Sequence, residues 1–420
     1  MSNPKIQPWY HILLLIFAGE AVFILPFIVP RIFRPTYLGT FDLTNTELGY
    51  CFSIYGIVAL ISYFLGGFVA DRLPPGRLMS IGLFFTALGG IYAAQYPSLT
   101  GMYFLYGYWG LTTILLFWAA LIKATRVWGG TKRQGKAFGF LDGGRGLVAA
   151  GFGSLGLLVI SLLTAQKLEL YDLSEKKEIF SMVILVFSAI VGFVSLLLWI
   201  FYKTPKSKST EEVSPIATKA MISSLLRIKS IYFIAIIILT GYSGYKVTDI
   251  FSLYARDIMN YDEIKAAGIG TILLYIRPIL GVSIGFLADW KKPSLFLSIG
   301  FLIMAIGSLV FASGIIDSSV YLLFFISIIA TSIGVYGIRC LYFAVLEEVS
   351  IPLHITGTAV GFVSVVGYTP DIFMGPIIGY FLDDFPMGVG YQYLFGFIGI
   401  LSVLGLLSSI YISFITRVKS

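Results

Sequence analysis

Long apolar runs separated by short polar turns dominate this sequence. A helix needs about 20 apolar residues to cross a hydrocarbon core of about 30 Å. Twelve runs are long enough, and we number them spans 1 to 12: residues 9–31, 47–70, 78–96, 101–125, 137–164, 179–202, 231–254, 266–288, 294–315, 319–345, 356–381 and 391–415. Because backbone groups in lipid must be hydrogen-bonded within their own segment, the pattern predicts an all-α membrane protein with twelve transmembrane helices.

Composition and the placement of charge agree with this prediction. Of the 420 residues, 57% are hydrophobic and 12% are charged. Soluble domains carry about 25% charged residues, so a soluble globular protein is excluded. The net charge of +7 does not indicate nucleic-acid binding, because the basic residues lie in the short turns. Alternate turns, with the N-terminus, hold 18 basic residues and the remaining turns hold seven, which predicts that both termini are cytoplasmic.

The same features give expectations for location and chemistry. Span 1 is too long for a signal-peptide core and no small-residue cleavage site follows it, so we expect it to be retained. The absence of an Asn-x-Ser/Thr sequon fits a bacterial protein, and we expect a lipid-embedded monomer in the inner membrane. Cys51 and Cys340 lie in apolar runs without metal-ligand spacing. No catalytic motif is present, so we expect no enzyme activity, no metal and no cofactor.

A polar stretch divides the chain into two halves of similar pattern. Residues 203–230 are the longest polar segment. They separate a predicted six-helix bundle, 1–202, from a second one, 231–420. The later part of this linker has helical apolar spacing beside basic residues, typical of a short helix on the membrane surface. A flexible linker is the alternative.

Two sequence echoes indicate internal duplication. Gly67-Phe-Val-Ala-Asp71 follows span 2, and Gly285-Phe-Leu-Ala-Asp289 follows span 8, 218 positions later. A second pair, at 135–140 and 357–362, is offset by 222 positions. Because the two copies of each motif are separated by nearly the same number of residues, they predict two homologous halves.

The turn after span 2 resembles the inner-turn motif of the major facilitator superfamily of secondary transporters. This family places a glycine, three residues, an acid and a base there, followed by glycine and further bases. The chain supplies Gly67, Asp71, Arg72, Gly76 and Arg77, with Leu73-Pro74-Pro75 inserted before Gly76; the second copy keeps Gly285 and Asp289 but has Trp290 in place of the base. The resemblance implies two pseudo-symmetric six-helix bundles, alternating access, and a cytoplasmic gate formed by Gly67, Asp71, Arg72, Arg77, Gly285 and Asp289. The basic turn after span 4, with Arg145, resembles the organophosphate and organic-anion permeases of this family.

Charges inside the spans are the candidates for transport chemistry. A charge at mid-bilayer costs at least about 2.5–3.5 kcal/mol, so such residues are expected to face a polar cavity or one another. Apart from charges assigned to the turns at span ends, eight ionisable residues lie within spans: Glu20, Asp142, Arg145, Lys246, Asp249, Arg277, Arg339 and Asp371. Asp142 and Arg145 are three residues apart, and so are Lys246 and Asp249. The two residues of each pair share a helix face and could neutralise each other. Arg339 could reach Glu347 or Glu348, or extend to the interface.

Four acids balance four bases, which favours proton coupling over pure anion exchange. The proton-coupling candidates are Glu20, at the centre of span 1, then Asp371 and Asp142. The substrate-binding candidates are Arg277, whose guanidinium suits a carboxylate or phosphate, with Arg145, Lys246, Arg339 and Asp249. Aromatic residues that could line the cavity are Phe23, Tyr55, Trp118, Tyr242, Tyr245, Tyr275, Tyr342 and Tyr368. The glycines of span 5 predict close helix packing.

We therefore predict a secondary transporter that moves a small charged organic solute, preferably an organic anion, by proton-coupled symport. The same charges would suit a zwitterion such as an amino acid or small peptide. A transporter-like solute sensor is an alternative of another class.

Overall fold

The computed structural model describes residues 8–129, 134–164, 168–203, 226–288, 292–349, 359 and 363–418, and the regular structure in these ranges is helical. We label the membrane helices α1 to α12 after the spans they cover. They are α1 (Trp9–Ala21 with Ile24–Ile32), α2 (Asn45–Arg72), α3 (Pro75–Ala93), α4 (Leu99–Gly129), α5 (Gln134–Leu163), α6 (Leu173–Phe201), α7 (Lys229–Asp257), α8 (Glu263–Ala288), α9 (Pro293–Ala312), α10 (Tyr321–Leu341), α11 (Val363–Asp384) and α12 (Val389–Val418). Short helices Arg34–Phe41 and Val345–Glu348 follow α1 and α10.

Every predicted span coincides with a helix. Within the described ranges, ten helices are long and apolar enough to cross a membrane, and the two parts of α1, taken as one span, would be an eleventh. Helix α8, with 26 residues, covers the remaining predicted span. The predicted all-α membrane fold is confirmed.

Local chemistry sets several helix starts. Thr44 caps α2 in a capping box with Glu47, and Asp172 does the same for α6 with Glu175. Each box satisfies backbone N–H groups that the first helical turn leaves without partners. Helices α3 and α9 begin with proline, whose missing N–H costs nothing at a first helical position.

Helix α1 is broken after Ala21, one residue beyond Glu20. Its two parts meet at 41°, and the second part opens with a π-helical stretch, Ile24–Ile28, that contains Pro26. A second π-helical stretch occupies Leu111–Trp118 of α4. Such stretches re-aim side chains and are frequent at functional sites.

The chain folds into two compact units. Unit 1 comprises Met1–Thr204 with Asp249–Pro278, and unit 2 comprises Pro205–Thr248 with Ile279–Ser420. Segment 249–278, the end of α7 and the first part of α8, thus belongs with the N-terminal half. The division into bundles 1–202 and 231–420 stays a prediction, because linker residues 204–225 and the short helix proposed there lie outside the described residues.

The glycines of α5 allow close packing inside unit 1, as predicted. A Cβ added at Gly144 would lie 2.7 Å from Ile16 of α1, and one at Gly146 would lie 3.0 Å from Pro278 of α8. Helix α5 therefore approaches α1 and α8 closely at the level of the membrane-embedded charges.

The turn after α2 shows part of its expected structure. Arg72 and Arg77 are exposed, and Lys123 of α4 donates to the carbonyl oxygen of Ala70 at 2.9 Å. A cation at this position stabilises the carbonyl end of α2. The surroundings of Gly67, Asp71 and Gly285, all of Asp289, and most of the second echo at 357–362 lie outside the described residues. The gate role of the motif stays a prediction.

Candidate functional site

Four of the predicted charges meet in one network in unit 1. The Nε of Arg145 lies 2.9 Å from Oε2 of Glu20, and Nη1 of Arg277 lies 3.9 Å from Oε1 of the same carboxylate. The Nη2 of Arg277 lies 3.1 Å from Oδ1 of Asp142. The contacts run from Arg145 to Glu20, from Glu20 to Arg277 and from Arg277 to Asp142. Two acids thus balance two bases.

Burial differs sharply along this network. The side chains of Glu20, Arg145 and Arg277 are 5%, 12% and 11% exposed, whereas that of Asp142 is 61% exposed. Interactions between charges strengthen as water is excluded. The Glu20 carboxylate is therefore held tightly between two guanidinium groups, and Asp142 is the accessible end.

The helices bring these side chains together for identifiable reasons. Glu20 lies in the last turn of the first part of α1, and the break follows at once. Arg145 passes over Gly19, where an added Cβ would lie 3.1 Å from its Cδ. The close approach of α5 to α8 at Gly146 brings Arg277, next to Pro278, toward the same carboxylate.

Aromatic rings flank the buried end of the network. The guanidinium carbon of Arg145 lies 5.6 Å from the ring centroid of Phe23 and 5.4 Å from that of Trp118. Both distances are in the range of cation–π attraction. Phe23 also packs edge-to-face with Trp118 at 6.0 Å, so the rings restrict where the guanidinium can move.

Unit 2 contains a second cluster of charged and aromatic residues. The Nζ of Lys246 lies 2.5 Å from Oδ1 of Asp371, and the hydroxyl of Tyr242 donates to the same oxygen at 3.0 Å. The side chains of Lys246 and Asp371 are 9% and 21% exposed. This pair joins α7 to α11.

Tyrosines surround Arg339, another predicted charge of unit 2. The guanidinium carbon of Arg339 lies 3.7 Å from the ring centroid of Tyr245 and 5.7 Å from that of Tyr242. The hydroxyls of Tyr342 and Tyr368 are 3.0 Å apart. Arg339 therefore stacks on aromatic faces, which its planar guanidinium does more readily than an ammonium group.

The structure corrects several expected pairings. Asp142 and Arg145 bind Arg277 and Glu20, on other helices. Lys246 binds Asp371, while Asp249 binds Arg31 in a pair whose side chains are 6% and 7% exposed. These salt bridges run between helices because side chains of α1, α5 and the first part of α8 converge in unit 1 and those of α7 and α11 converge in unit 2, whereas neighbours three residues apart can diverge at helix irregularities. One such irregularity is the 3-10 stretch Thr248–Ile250.

The expected contact between Arg339 and Glu348 is the second correction. The arginine stacks on tyrosines, whereas Glu348 accepts hydrogen bonds from the backbone N–H and hydroxyl of Ser294 and from the hydroxyl of Thr416. The side chain of Glu347 lies outside the described residues. Glu348 thus caps the start of α9, where a negative charge is favoured.

Sequence reasoning missed the role of Arg31. It is the last residue of predicted span 1 and one of the seven basic residues counted with the remaining turns, and the structure buries it at the end of α1 against Asp249. The unbroken apolar run before it, Ile24–Pro30, was the available signal.

Comparison with known proteins places this chain in a family. Residues 12–373 match the model of the Major Facilitator Superfamily. Inner membrane protein YqcE of Escherichia coli (strain K12) is 25% identical over 406 residues, covering 93% of this chain and 91% of that protein. Inner membrane protein YihN of the same organism is 26% identical over 410 residues, covering 96% and 95%.

Solved structures with the same fold are transporters. They include a bacterial homologue of the human lysosomal transporter Spinster (TM-score 0.69, 16% identity, 96% of each chain). The nucleoside transporter NupG superposes with a TM-score of 0.71 at 15% identity, covering 98% of this chain and 100% of that one. A D-xylose–proton symporter gives 0.72 at 15%, covering 96% and 97%. At these identities the structures support the fold alone. The family match shows that the chain belongs to the Major Facilitator Superfamily and is a multi-pass membrane transporter rather than an enzyme.

Proposed function

We propose that the protein is a proton-coupled symporter of a small organic anion in a bacterial inner membrane. The observation that carries this proposal is the buried carboxylate of Glu20, held between Arg145 and Arg277. The inner-membrane location is supported by the two Escherichia coli relatives.

The network links proton binding to anion binding. Protonating Glu20 removes one of the two negative charges that balance Arg145 and Arg277, and an uncompensated buried charge costs about 3–5 kcal/mol. A substrate anion between Arg145 and Arg277 would restore the balance. Each ligand therefore favours the binding of the other, and this reciprocal coupling is what symport requires.

Arg277 is the proposed anion clamp. It contacts both Glu20 and Asp142 and has two parallel N–H groups suited to a carboxylate or phosphate. We propose Arg145 as its partner, since the two converge on one carboxylate. Asp142, the exposed end, is proposed as an accessory proton site. The other proposed substrate contacts are Lys246, Arg339 and Asp249.

Removing the clamp tests this assignment. Purified protein is first screened by thermal shift against carboxylates, phosphates, amino acids, dipeptides and sugars. For the anion with the largest shift, Arg277→Ala is expected to weaken binding at least tenfold because the bidentate contact is lost. Arg277→Lys is the matched control, which keeps the charge and should retain weak binding. Unchanged affinity in Arg277→Ala would contradict the assignment.

Zwitterion transport is the second candidate. It is favoured by Asp371, because Lys246 and Tyr242 both bind its Oδ1 while the residue remains partly exposed. A partly exposed carboxylate of this kind can pair with the ammonium group of a zwitterion. Amino acids or dipeptides giving the largest shift in the same screen, with the shift lost in Asp371→Asn, would favour this function over the first.

A further inference from the structure

We infer that the site in unit 1 recognises an aromatic carboxylate, with Phe23, Phe27 and Trp118 forming a subsite for its ring. This inference rests on the proposed function and adds the chemical class of the substrate. The proposed function concerns the charge alone and leaves open what the anion carries.

The three rings form a row that begins at the charge network. Phe23 and Trp118 both face the guanidinium of Arg145, and Phe27 follows Phe23 at 6.3 Å between centroids. Phe27 is backed by Phe52, stacked at 5.6 Å, and by Tyr55, edge-to-face at 4.6 Å. A flat apolar group therefore has rings to pack against within reach of Arg145.

Accessibility distinguishes this row from ordinary core packing. Phe23, Phe27 and Trp118 are only partly buried, whereas Phe52 and Tyr55 behind them are 8% and 3% exposed. A guanidinium group avoids lipid, which argues that the ring surface beside Arg145 faces a polar space. Apolar walls with a few placed charged groups are the usual make-up of a small-molecule site.

Helix geometry presents the rings to this space. Phe23 lies at the break of α1, Phe27 lies in the π-helical stretch after it, and Trp118 ends the π-helical stretch of α4. Transporter sites are typically formed where membrane helices are discontinuous. Both irregular stretches therefore place aromatic rings in the same small region.

The small number of Asn and Gln residues, and their positions, argue against a hydroxylated substrate such as a sugar. Sugars are recognised through many side-chain hydrogen bonds, commonly from amides. The chain has three Asn and five Gln, and all lie in turns or within one helical turn of a predicted span end: Asn3, Gln7, Asn45, Gln95, Gln134, Gln166, Asn260 and Gln392. Beside the row, the hydroxyl of Tyr55 is already bonded to Thr113 at 2.7 Å.

Matched six-membered-ring carboxylates test the inference. Calorimetric titration of the purified full chain would compare benzoate, cyclohexanecarboxylate and glucuronate at a pH where all three are ionised. Benzoate is expected to bind most tightly and glucuronate at least tenfold more weakly. The three share one carboxylate, so the difference reports on the ring.

Two ring variants and a control locate the subsite. Trp118→Leu and the more distant Phe27→Leu are each expected to weaken benzoate binding about three- to tenfold, since aromatic pairs contribute about 0.5–1.5 kcal/mol. Glucuronate binding should change less than twofold. Phe104→Leu, at a ring 76% exposed near the start of α4, is expected to bind benzoate normally.

The outcomes separate this inference from the proposed function. Glucuronate binding as tightly as benzoate, no benzoate binding, or unchanged benzoate affinity in both ring variants would overturn the subsite. The proposal of anion symport would be contradicted by a different result, namely unchanged anion binding in Arg277→Ala.

Discussion

At the residue scale, the informative feature is that membrane-embedded charges pair across helices. Glu20, Arg31 and Asp371 each bind a basic or acidic partner from a distant part of the sequence. The sequence identified which residues carry charge in the membrane, because such residues interrupt long apolar runs. It did not identify the partners, since pairing depends on how each helix is rotated and on the breaks in α1 and α7.

The Arg31–Asp249 pair gives a stability prediction at this scale. Asp249→Asn is expected to lower the free energy of unfolding by about 3–5 kcal/mol, because it leaves Arg31 buried without its counter-charge. Unfolding in a denaturing detergent would measure this. The double variant Arg31→Met with Asp249→Leu should recover most of the loss.

An exposed pair provides the control. Lys265 is 69% exposed in its pair with Asp262, so Lys265→Ala should cost less than about 1 kcal/mol. A loss in Asp249→Asn no larger than in this control would show that the buried pair does not stabilise the fold.

At the element scale, hydropathy predicted the helices but not their irregularities. All twelve spans contain a helix in the residues that the structure describes, yet the break after Ala21 and the π-helical stretches at Ile24–Ile28 and Leu111–Trp118 were not expected. A helix surrounded by lipid and other helices is apolar on most sides. Its sequence therefore has no polar face. An extra residue in a turn would shift such a face around the helix, but an apolar helix shows no shift. Pro26 was the one visible sign in α1.

The glycines of α5 give a prediction for packing between elements. Gly146→Val is expected to destabilise the protein by about 1–3 kcal/mol, because the added side chain would meet Pro278 within unit 1. Gly151→Val is the matched control on the same helix, where an added Cβ has nothing within 4 Å.

Thermal unfolding and anion binding would be measured on both glycine variants. The Gly146 variant should also bind anion more weakly, since α5 carries Arg145. Equal behaviour of the two variants would show that close packing at Gly146 is unimportant.

At the scale of the whole molecule, the repeated turn and the charge asymmetry were sufficient to predict the family. Gly67 to Arg72, its echo at Gly285, and the long apolar runs led to the major facilitator fold, which the family match confirms. The substrate was not predictable in the same way. The fold is shared by transporters of different solutes, and we propose that specificity depends on a few side chains such as Glu20, Arg277 and Trp118.

The central claim is that Glu20 couples proton entry to anion entry, and proton flux measures this most directly. Protein is reconstituted in liposomes with a pH dye inside, and the anion selected by the thermal-shift screen is added outside. Protein-free liposomes correct for leakage of the neutral acid. Wild-type protein is predicted to acidify the lumen as the anion enters.

Glu20→Gln is predicted to stop this acidification while exchange of labelled anion across the membrane continues, because the neutral amide mimics the protonated carboxylate and leaves both arginines available. Anion entry without acidification in the wild type, or acidification that persists in Glu20→Gln, would contradict the account.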